Sequence, residues 1–408
     1  MSDIAVTGIG IVSPLGVGRK TFWENLREAK TGIKRITSFD TGSLLSNVAG
    51  WIDDFDPGQF MPTRCYRRMS LVSRMAVASS IEALADSGLI PDSLNRERIA
   101  IIMGTSYGSS SHVEDFYAGF LKEGPRGVHP FVFPETVPNA PASHIAMYHG
   151  ITGPNSTFCQ NEISAENAIM YARNLLSQNL VDIALVGGAD ELSAMQYTCY
   201  DAVSALNKVR AEKGETATIR PEPGGGLILG EGAGILVMER IDMARKRDAK
   251  IYGMLKSGVI RGGITDIGHY EIEGEQMAWA IFLAMEKAGI DPGAIDQIDI
   301  SANFTGELDK MEYNQLRQIF RKRNNNLEVT PLKYLMGDFG GAGIIRAAAI
   351  FLSIYNKLPL PTVNAEALRS EAGNFPVWNI SPTGKTDTTL MTSSTFGGGT
   401  SSLIFARK

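Results

Sequence analysis

The residues with the clearest chemical potential stand at a predicted strand-to-helix elbow. In GPNSTFCQNEISAENAI, the strand-like NSTF leads through CQN into a helix that we expect to start near Ile163, which places Glu162 at the helix start. A helix N-terminus favours negative charge, so such an elbow activates a cysteine thiol and accommodates a carboxylate equally well. We therefore expect Glu162 to be exposed at the elbow. Cys159, three residues upstream, is predicted to be a small buried residue of the strand.

The glycine-rich segments argue against a nucleotide site. They occur at 8–10, 224–226, 340–343 and 397–399. Pro14 interrupts the chain where a dinucleotide-binding helix would begin, and no Walker lysine follows any of the segments. We interpret them as tight turns and expect no cofactor. The GGGT stretch at 397–400 has one further option, because adjacent backbone N–H groups can form an oxyanion hole opposite a nucleophile.

Composition and charge narrow the possible partners. The chain has 408 residues, 44% of them hydrophobic, and a net charge of −5 without a basic stripe, which argues against nucleic acid. An acidic carrier protein would need only a local basic patch. The densest candidates are Arg64, Arg67 and Arg68, and Arg321, Lys322 and Arg323. A solvated helix end or loop explains both groups equally well.

The number and spacing of the cysteines, together with the hydropathy of the chain, indicate in which cellular compartment the protein resides. The three cysteines are far apart and odd in number, which predicts a reducing environment without a disulfide framework. They and the five histidines lack metal-ligand spacing, so we expect no metal site. The first residues, MSDIAVTGIGIVSPLG, are typical of a strand and turn, and no apolar run is long enough to span a bilayer. We therefore expect a cytoplasmic protein without a membrane span.

Short apolar strands alternate with helical stretches along the chain. Strands are predicted at 4–12, 98–106, 182–190, 233–240, 295–303 and 388–399. Helices are predicted near 68–88, 161–178, 276–288, 309–322 and 341–356. This alternation favours an α/β fold in which helices cover a parallel sheet. The length and weak internal similarity fit two similar α/β halves, with a division that we set at 1–245 and 246–408.

The elbow segment resembles the active-site loop of the β-ketoacyl-acyl-carrier-protein synthases of the thiolase superfamily. Counting back from GGAD to GPN without gaps, the nucleophilic cysteine of that family falls on Glu162. Similar matches are VTGIGIVSPLG, RPEPGGGLILGEGAGILVME, PFVFPETVPNAPASHIA and STFGGGT, the last with Phe396 as the gating phenylalanine. The resemblance covers nearly the whole chain and implies a thiolase-like fold with a five-layer αβαβα arrangement.

Two further family positions are changed. The loop that is similar to NAHGT reads SANFT here, so Asn303 stands where the first histidine would be. The loop that is similar to KSMTGH reads KYLMGD, which places Asp338 at the second histidine and retains Lys333. Asn303 donates a hydrogen bond but cannot shuttle a proton near neutral pH. The resemblance therefore implies no catalytic residue, and we expect that the chain alone is not an enzyme.

The stretch NFTGELDKMEYNQL resembles the chain length factors of type II polyketide synthases. That resemblance implies a heterodimer with an active ketosynthase, transient contact with an acyl carrier protein, and a wall for the growing polyketide chain in the partner's tunnel. The candidate tunnel and interface residues are Tyr107, Phe116, Tyr117, Phe120, Phe131, Phe133 and Thr136. Two alternatives remain open: an unusual homodimeric β-ketoacyl-ACP synthase that uses Cys159 or a carboxylate, and a carrier-protein-binding scaffold.

Overall fold

Glycines in the first strand allow a helix to lie directly on it. The computed structural model describes residues 3–212, 221–222, 224–266, 268–322, 328–364, 378–379, 382 and 384–407. In strand β1 (Ile4–Ser13), a Cβ atom on Gly10 would lie 1.9 Å from the backbone oxygen of Ser79, and one on Gly8 would lie 2.2 Å from that of Ala83. Helix α3 (Leu71–Ser87) therefore packs against β1 through its backbone. Ser70 caps this helix by accepting a hydrogen bond from the Ser73 amide.

One large sheet of 13 strands runs through the described residues, in the order β13-β12-β11-β10-β14-β15-β9-β1-β8-β7-β5-β6, with β2 paired to β1. After β1, its strands are β2 (Gly16–Val17), β5 (Ile99–Gly104), β6 (Asn155–Phe158), β7 (Ile183–Asp190), β8 (Gly232–Arg240), β9 (Gly253–Arg261), β10 (Gln297–Asp299), β11 (Glu328–Thr330), β12 (Thr362–Asn364), β13 (Trp378–Asn379), β14 (Thr388–Ser394) and β15 (Thr400–Ala406). A separate hairpin joins β3 (Ile33–Arg35) to β4 (Val48–Gly50).

The sheet is mixed, so the expectation of a parallel sheet is wrong in part. Strand β5 pairs in parallel with β6 and β7, and β10 pairs in parallel with β11 and β14. Strands β1, β8, β9 and β15 form antiparallel pairs with their neighbours. The difference arises because β14 and β15 are joined by a short glycine turn, which produces a hairpin rather than a crossover.

The sheet consists of an N-terminal and a C-terminal half, joined by the short pairing of β1 with β9, and helices cover both faces of each half. Besides α3 they are α1 (Arg19–Arg27), α2 (Thr63–Tyr66), α4 (Ser110–Glu123), α5 (Ala140–His149), α6 (Ser164–Ser177), α7 (Ala194–Ala202), α8 (Ile241–Lys246), α9 (Glu275–Ala288), α10 (Gly306–Ile319), α11 (Lys333–Met336) and α12 (Ala342–Asn356). Helix α3 covers β1, β7 and β8, and α9 covers β9 and β15. Helices α6 and α12 contact each other and strands of both halves.

This is the thiolase-like five-layer αβαβα arrangement of two similar halves, with α6 and α12 as the central layer. The long predicted strands and helices are present with shifts of a few residues at their ends, while the predicted strand 295–303 is only Gln297–Asp299. Strands β9 and β15 were not predicted. The division of the chain at 245/246 stays a prediction.

The central layer contains a buried ion network. Arg346 of α12 is completely buried, and its Nε donates to Asp299 Oδ2 at 2.8 Å. Its other nitrogens donate to Ser393 Oγ and the Thr392 carbonyl, both at 2.7 Å, and Glu166 Oε1 of α6 lies 3.8 Å away. Arg346 therefore joins the two central helices to β10 and β14.

Gly343 makes room for this network. A Cβ atom at position 343 would lie 2.5 Å from the carboxyl group of Glu166, which is a closer approach than any real side chain tolerates. The two central helices consequently pack closely enough for Glu166 to sit inside the protein, where Ser393 also donates a hydrogen bond to it. A side chain at position 343 would therefore require the Glu166 carboxyl group to move.

Replacing Arg346 by Met should strongly destabilise the fold. The substitution leaves Asp299 and Glu166 buried without their cation, and removal of one partner of a buried ion pair typically costs about 3–5 kcal/mol. Chemical denaturation of the purified chain measures this loss. The exposed Arg317→Met on α10 serves as the control and should change the free energy of unfolding by less than about 0.5 kcal/mol. Equal stability of the two variants would contradict the importance of the network.

Candidate functional site

The predicted elbow is present, but its central residue is buried. Strand β6 ends at Phe158, a single 3₁₀ turn spans Asn161–Ile163, and helix α6 begins at Ser164. Asn161 adopts the left-handed conformation with φ of 47°, which turns the chain sharply before Glu162. Ser164 Oγ accepts from the Gln160 amide at 2.8 Å and holds the turn in place. Glu162 is only 7% exposed, so the expectation of an exposed side chain is wrong.

The loop after β14 covers Glu162. The Thr395 hydroxyl donates a hydrogen bond to Glu162 Oε2, although the two residues are 233 positions apart in the sequence. Burial raises the pKa of Glu162 to about 7, and the negative charge of Asp338 adds to this effect. The hydrogen bond from Thr395 and the charge of Lys333 act in the opposite direction. The Glu162 carboxyl group is therefore partly protonated near neutral pH.

Asn303 and Asp338 contact each other directly. Asn303 Nδ2 donates to Asp338 Oδ2 at 2.7 Å and to the Tyr270 hydroxyl at 3.0 Å. Lys333 Nζ lies 2.8 Å from Asp338 Oδ1, and both side chains are almost completely buried. The structure thus brings Glu162, Asn303, Asp338 and Lys333 into one buried site in which Asp338 is paired with a cation.

The loop that carries Phe396 closes this site. The Phe396 ring is partly buried and lies 4.6 Å from that of Tyr270, centre to centre. In GGGT, the amides of Gly397 and Gly398 are not free to bind an oxyanion, because they donate to the carbonyls of His269 and Thr395 at 3.1 and 3.2 Å. Those N–H groups stabilise the turn instead of facing Glu162.

Two further buried acids lie beside the site, Asp309 and Glu312, which the sequence had indicated only as part of the stretch NFTGELDKMEYNQL. Asp309 accepts hydrogen bonds from the Tyr334 hydroxyl at 2.5 Å and from the Asn303 amide at 3.1 Å. Glu312 accepts from the Ser301 amide at 2.9 Å and from the Thr392 hydroxyl. Burial raises the pKa of each of these acids to about 7. The periodicity of helix α10 carried a signal, since both acids lie on the face that also presents Leu308 and Met311 to the core.

Most of the candidate tunnel residues lie on the surface. Six of these residues form what we call the aromatic surface: Tyr107, Phe116, Tyr117, Phe120, Phe131 and Phe133. The Phe116 side chain is half-buried, and the exposed fractions of the other five residues run from 39% to 61%. The rings of Phe116 and Phe133 lie 6.1 Å apart. Thr136, also half-buried, closes the adjoining turn by donating to the Phe133 carbonyl at 2.8 Å.

Tyr107 connects this surface to the buried site. Its hydroxyl lies 2.6 Å from that of Tyr200. Burial raises the pKa of both phenols, and the negative charge of Glu162 raises it further.

Two other sequence expectations have mixed outcomes. Cys159 is exposed, so the prediction that it is buried is wrong; β6 is the last strand of the sheet and leaves this end of the strand uncovered. Five of the six cations proposed for a basic patch are exposed: Arg64, Arg67, Arg68, Arg321 and Lys322. The sixth, Arg323, lies outside the described residues.

The part of the chain that the structure describes contains no group of His, Cys, Asp or Glu side chains arranged to hold a metal ion. None of its helices is long and apolar enough to cross a membrane.

Replacing Glu162 by Gln should change how stability depends on pH. Because the pKa of Glu162 is about 7 in the folded chain and 4.5 ordinarily, the folded state holds its proton more tightly, and stability falls as pH rises from about 4.5 to 7. Gln cannot ionise but still accepts from Thr395. We expect the variant to gain up to about 3 kcal/mol relative to the parent at pH 8, and almost nothing at pH 4.

Thermal unfolding at several pH values measures this difference. Glu275→Gln at the exposed start of α9 is the matched control, and its melting temperature should follow that of the parent at every pH. A constant offset between Glu162→Gln and the parent from pH 4 to pH 8 would show that Glu162 does not titrate in this range.

Known proteins with similar sequences include 3-oxoacyl-[acyl-carrier-protein] synthases and polyketide synthase subunits. The chain is 28% identical to the 3-oxoacyl-[acyl-carrier-protein] synthase 2 of Coxiella burnetii over 408 residues, which is 99% of this chain and 98% of the relative. It is also 28% identical to the tetracenomycin polyketide synthase ketoacyl synthase alpha subunit of Streptomyces glaucescens, over 99% and 97% of the two chains. The expectation that the chain alone is not an enzyme is wrong, because relatives over its whole length are named as synthases.

Comparison with solved structures supports the fold. The ishigamide ketosynthase/chain length factor superimposes with a TM-score of 0.86 at 24% identity, covering 100% of this chain and 99% of the other. The family models for the N-terminal and C-terminal domains of β-ketoacyl synthases match residues 1–244 and 252–366. The chain therefore belongs to the β-ketoacyl synthase family.

Proposed function

We propose that this chain is a chain-length-factor-like subunit that pairs with an active ketosynthase in a heterodimeric β-ketoacyl synthase and shapes the tunnel of the growing polyketide chain. The bonding of the three residues at the expected catalytic positions carries the proposal. Glu162 is bonded to Thr395, and Asn303 and Asp338 are bonded to each other. Condensation needs a thiolate and hydrogen-bond donors for a developing oxyanion, and in the proposed heterodimer the ketosynthase partner contributes a cysteine at its own elbow.

The edge of the sheet supports assembly with a second subunit. Strand β6 ends the sheet next to β5, and all four of its residues are exposed or half-buried. An edge strand presents unpaired N–H and C=O groups that readily pair with another chain. Because the elbow with Glu162 follows this strand directly, a partner bound along β6 would lie beside the buried site.

The aromatic surface supports the same arrangement. Monomeric proteins rarely expose a cluster of large aromatic side chains, and such clusters typically mark interaction sites. Helix α4 and the turns that follow it carry most of these rings, while Tyr107 reaches toward Tyr200 and the buried site. In the proposed heterodimer these side chains face the partner and limit the length of its chain tunnel.

Exposed cations next to this surface suit an acyl carrier protein. Arg64, Arg67 and Arg68 lie on and just after the short helix α2, and the Arg68 guanidinium stands 4.0 Å from the centre of the Phe131 ring. Positive charge at the rim of an interface increases the association rate of an acidic partner more than its affinity. We propose a transient contact of the carrier protein with these three residues.

A second candidate function is a β-ketoacyl-ACP synthase that acts alone as a homodimer. The relatives named as synthases over the whole chain favour it. In this case either the exposed thiol of Cys159 or the Glu162 carboxyl group, whose pKa of about 7 suits proton transfer, would act in catalysis. The oligomeric state of the purified chain and the place of any acyl adduct separate the two candidates.

Co-expression with a cysteine-bearing ketosynthase should give a one-to-one heterodimer. Size exclusion combined with native mass spectrometry measures the composition of the complex. Tyr117→Asp in the aromatic surface should weaken the heterodimer at least about tenfold, because a charge would enter a desolvated interface. Trp279→Asp, at an equally exposed ring on α9, should leave assembly unchanged. A self-contained homodimer that condenses malonyl units would replace this proposal with the second candidate.

Shortening aromatic side chains should lengthen the product of the heterodimer. Phe116→Ala or Phe133→Ala removes one of two rings that touch each other, and thereby enlarges the space that we assign to the chain terminus. Mass spectrometry of the released products should show chains longer by one or more two-carbon units. Trp279→Ala is the control. An unchanged product profile from an intact complex would assign Phe116 and Phe133 to interface packing alone.

A further inference from the structure

Helix α9 carries two large aromatic side chains on the face that points away from the core. The buried residues of this helix form its inner face, which packs on β9 and β15: Met277, Ala280, Ile281, Ala284 and Met285. On the outer face, Trp279 and Phe282 are 53% and 55% exposed, and their ring centres lie 6.0 Å apart. The outer face of a helix that covers a sheet is ordinarily polar, so two contacting rings in this place indicate a surface that binds a partner.

The two rings belong to a straight stripe that ends in an acid on either side. Glu275, Trp279, Phe282 and Glu286 follow one another at separations of four, three and four residues. With about 100° of rotation per residue, these four side chains lie within roughly 60° of one another around the helix axis. Alternating separations of four and three residues are those of a seam between two packed helices. We call these four residues the α9 stripe.

The α9 stripe lies in an acidic part of the chain. Residues 271–288 contain four glutamates and one lysine, which gives a formal charge of −3 at pH 7. Glu275 and Glu286 are exposed, and neither carboxylate forms an ion pair among the described residues. The lysine, Lys287, lies about 100° around the helix axis from Glu286 and therefore flanks the stripe. The rings thus stand between two unpaired negative charges.

This charge pattern argues against several occupants. Two copies of the α9 stripe packed against each other would bring acid against acid at both ends in either orientation, and like charges that meet in an interface oppose association. An acidic acyl carrier protein and a membrane with anionic lipids are repelled for the same reason. Positive charge on both sides of apolar side chains, in contrast, complements the whole stripe.

We propose that the α9 stripe binds a basic amphipathic helix of another protein, one that carries Lys or Arg on both sides of a pair of apolar residues. The apolar pair packs on Trp279 and Phe282, which is how an amphipathic helix lays its apolar face on a partner. The two cations meet Glu275 and Glu286. This helix binds apart from the ketosynthase of the proposed heterodimer, because four strands of the sheet separate β9, which α9 covers, from β6.

Fluorescence anisotropy of a labelled synthetic peptide tests the proposal on the full chain. The peptide is a helix with one face that reads Lys-Leu-Leu-Lys at the spacing of the α9 stripe, and with alanine and glutamine elsewhere. We expect one peptide to bind per chain, with an affinity that falls as salt is added, because salt screens surface charges. Trp279→Ala and Phe282→Ala should each weaken binding at least about tenfold, and Glu286→Gln about threefold. A peptide with Glu in place of both lysines should not bind.

Matched controls distinguish the stripe from other exposed side chains. Ile90→Ala removes an exposed apolar side chain after α3, and Glu24→Gln removes an exposed carboxylate on α1; both should leave the affinity unchanged. Binding that survives both ring variants, or no binding at millimolar concentration, would overturn the site. Equal binding of the two peptides would overturn the assignment to a basic partner. A dimer of the chain in analytical ultracentrifugation, or binding to phosphatidylcholine vesicles, would assign the stripe to a second copy or to lipid instead if Trp279→Ala abolishes it.

Discussion

Buried carboxyl groups outnumber buried cations in the interior around the two central helices. The rest of the structure depends on how the protein compensates the negative charge of these carboxyl groups. The carboxyl groups belong to Glu162, Glu166, Asp299, Asp309, Glu312 and Asp338. Lys333 and Arg346 are the cations that contact them. Low dielectric makes every uncompensated charge expensive, so the remaining acids are held by hydroxyl and amide donors and retain protons to a higher pH. Strand β14 and the loop that follows β10 supply many of those donors.

The excess of buried carboxyl groups extends to the site itself, at the positions that correspond to the catalytic residues of the β-ketoacyl synthase family. A site for thioester condensation needs an accessible thiolate and groups that stabilise negative charge. Here the elbow holds a carboxyl group under a closed loop, and the neighbouring positions hold an amide and a carboxylate that satisfy each other. The relatives named as synthases show that the family is catalytic, while the bonding of Glu162, Asn303 and Asp338 describes the interior of this chain.

The sequence permitted a good prediction of the long elements and of the residues that meet in the site. Continuous apolar runs such as those of β1, β7 and β8 identify buried strands directly, and the resemblance placed Asn303 and Asp338 at the two histidine positions of the family. Strand β9 was missed because Lys256 and Arg261 interrupt its apolar pattern. The antiparallel pairings were missed because local patterns do not encode the direction of a neighbouring strand.

Two errors at the elbow have a common cause in long-range contacts. Glu162 was predicted to be exposed, yet Thr395 covers it from the other half of the chain. Cys159 was predicted to be buried, yet β6 lies at the end of the sheet and has no neighbour on its outer side among the strands of this sheet. Local helix and strand signals located the turn correctly, but burial depends on segments that are distant in sequence.

Gly343 makes the pairing of the two central helices sensitive to a single methyl group. A Cβ atom at position 343 would collide with the Glu166 carboxyl group, so a larger residue there requires that group to move. Glu166 lies 3.8 Å from Arg346, and Arg346 is also paired with Asp299 at 2.8 Å. An alanine at position 343 would therefore disturb the contact of Arg346 with Glu166 and leave its contact with Asp299 in place.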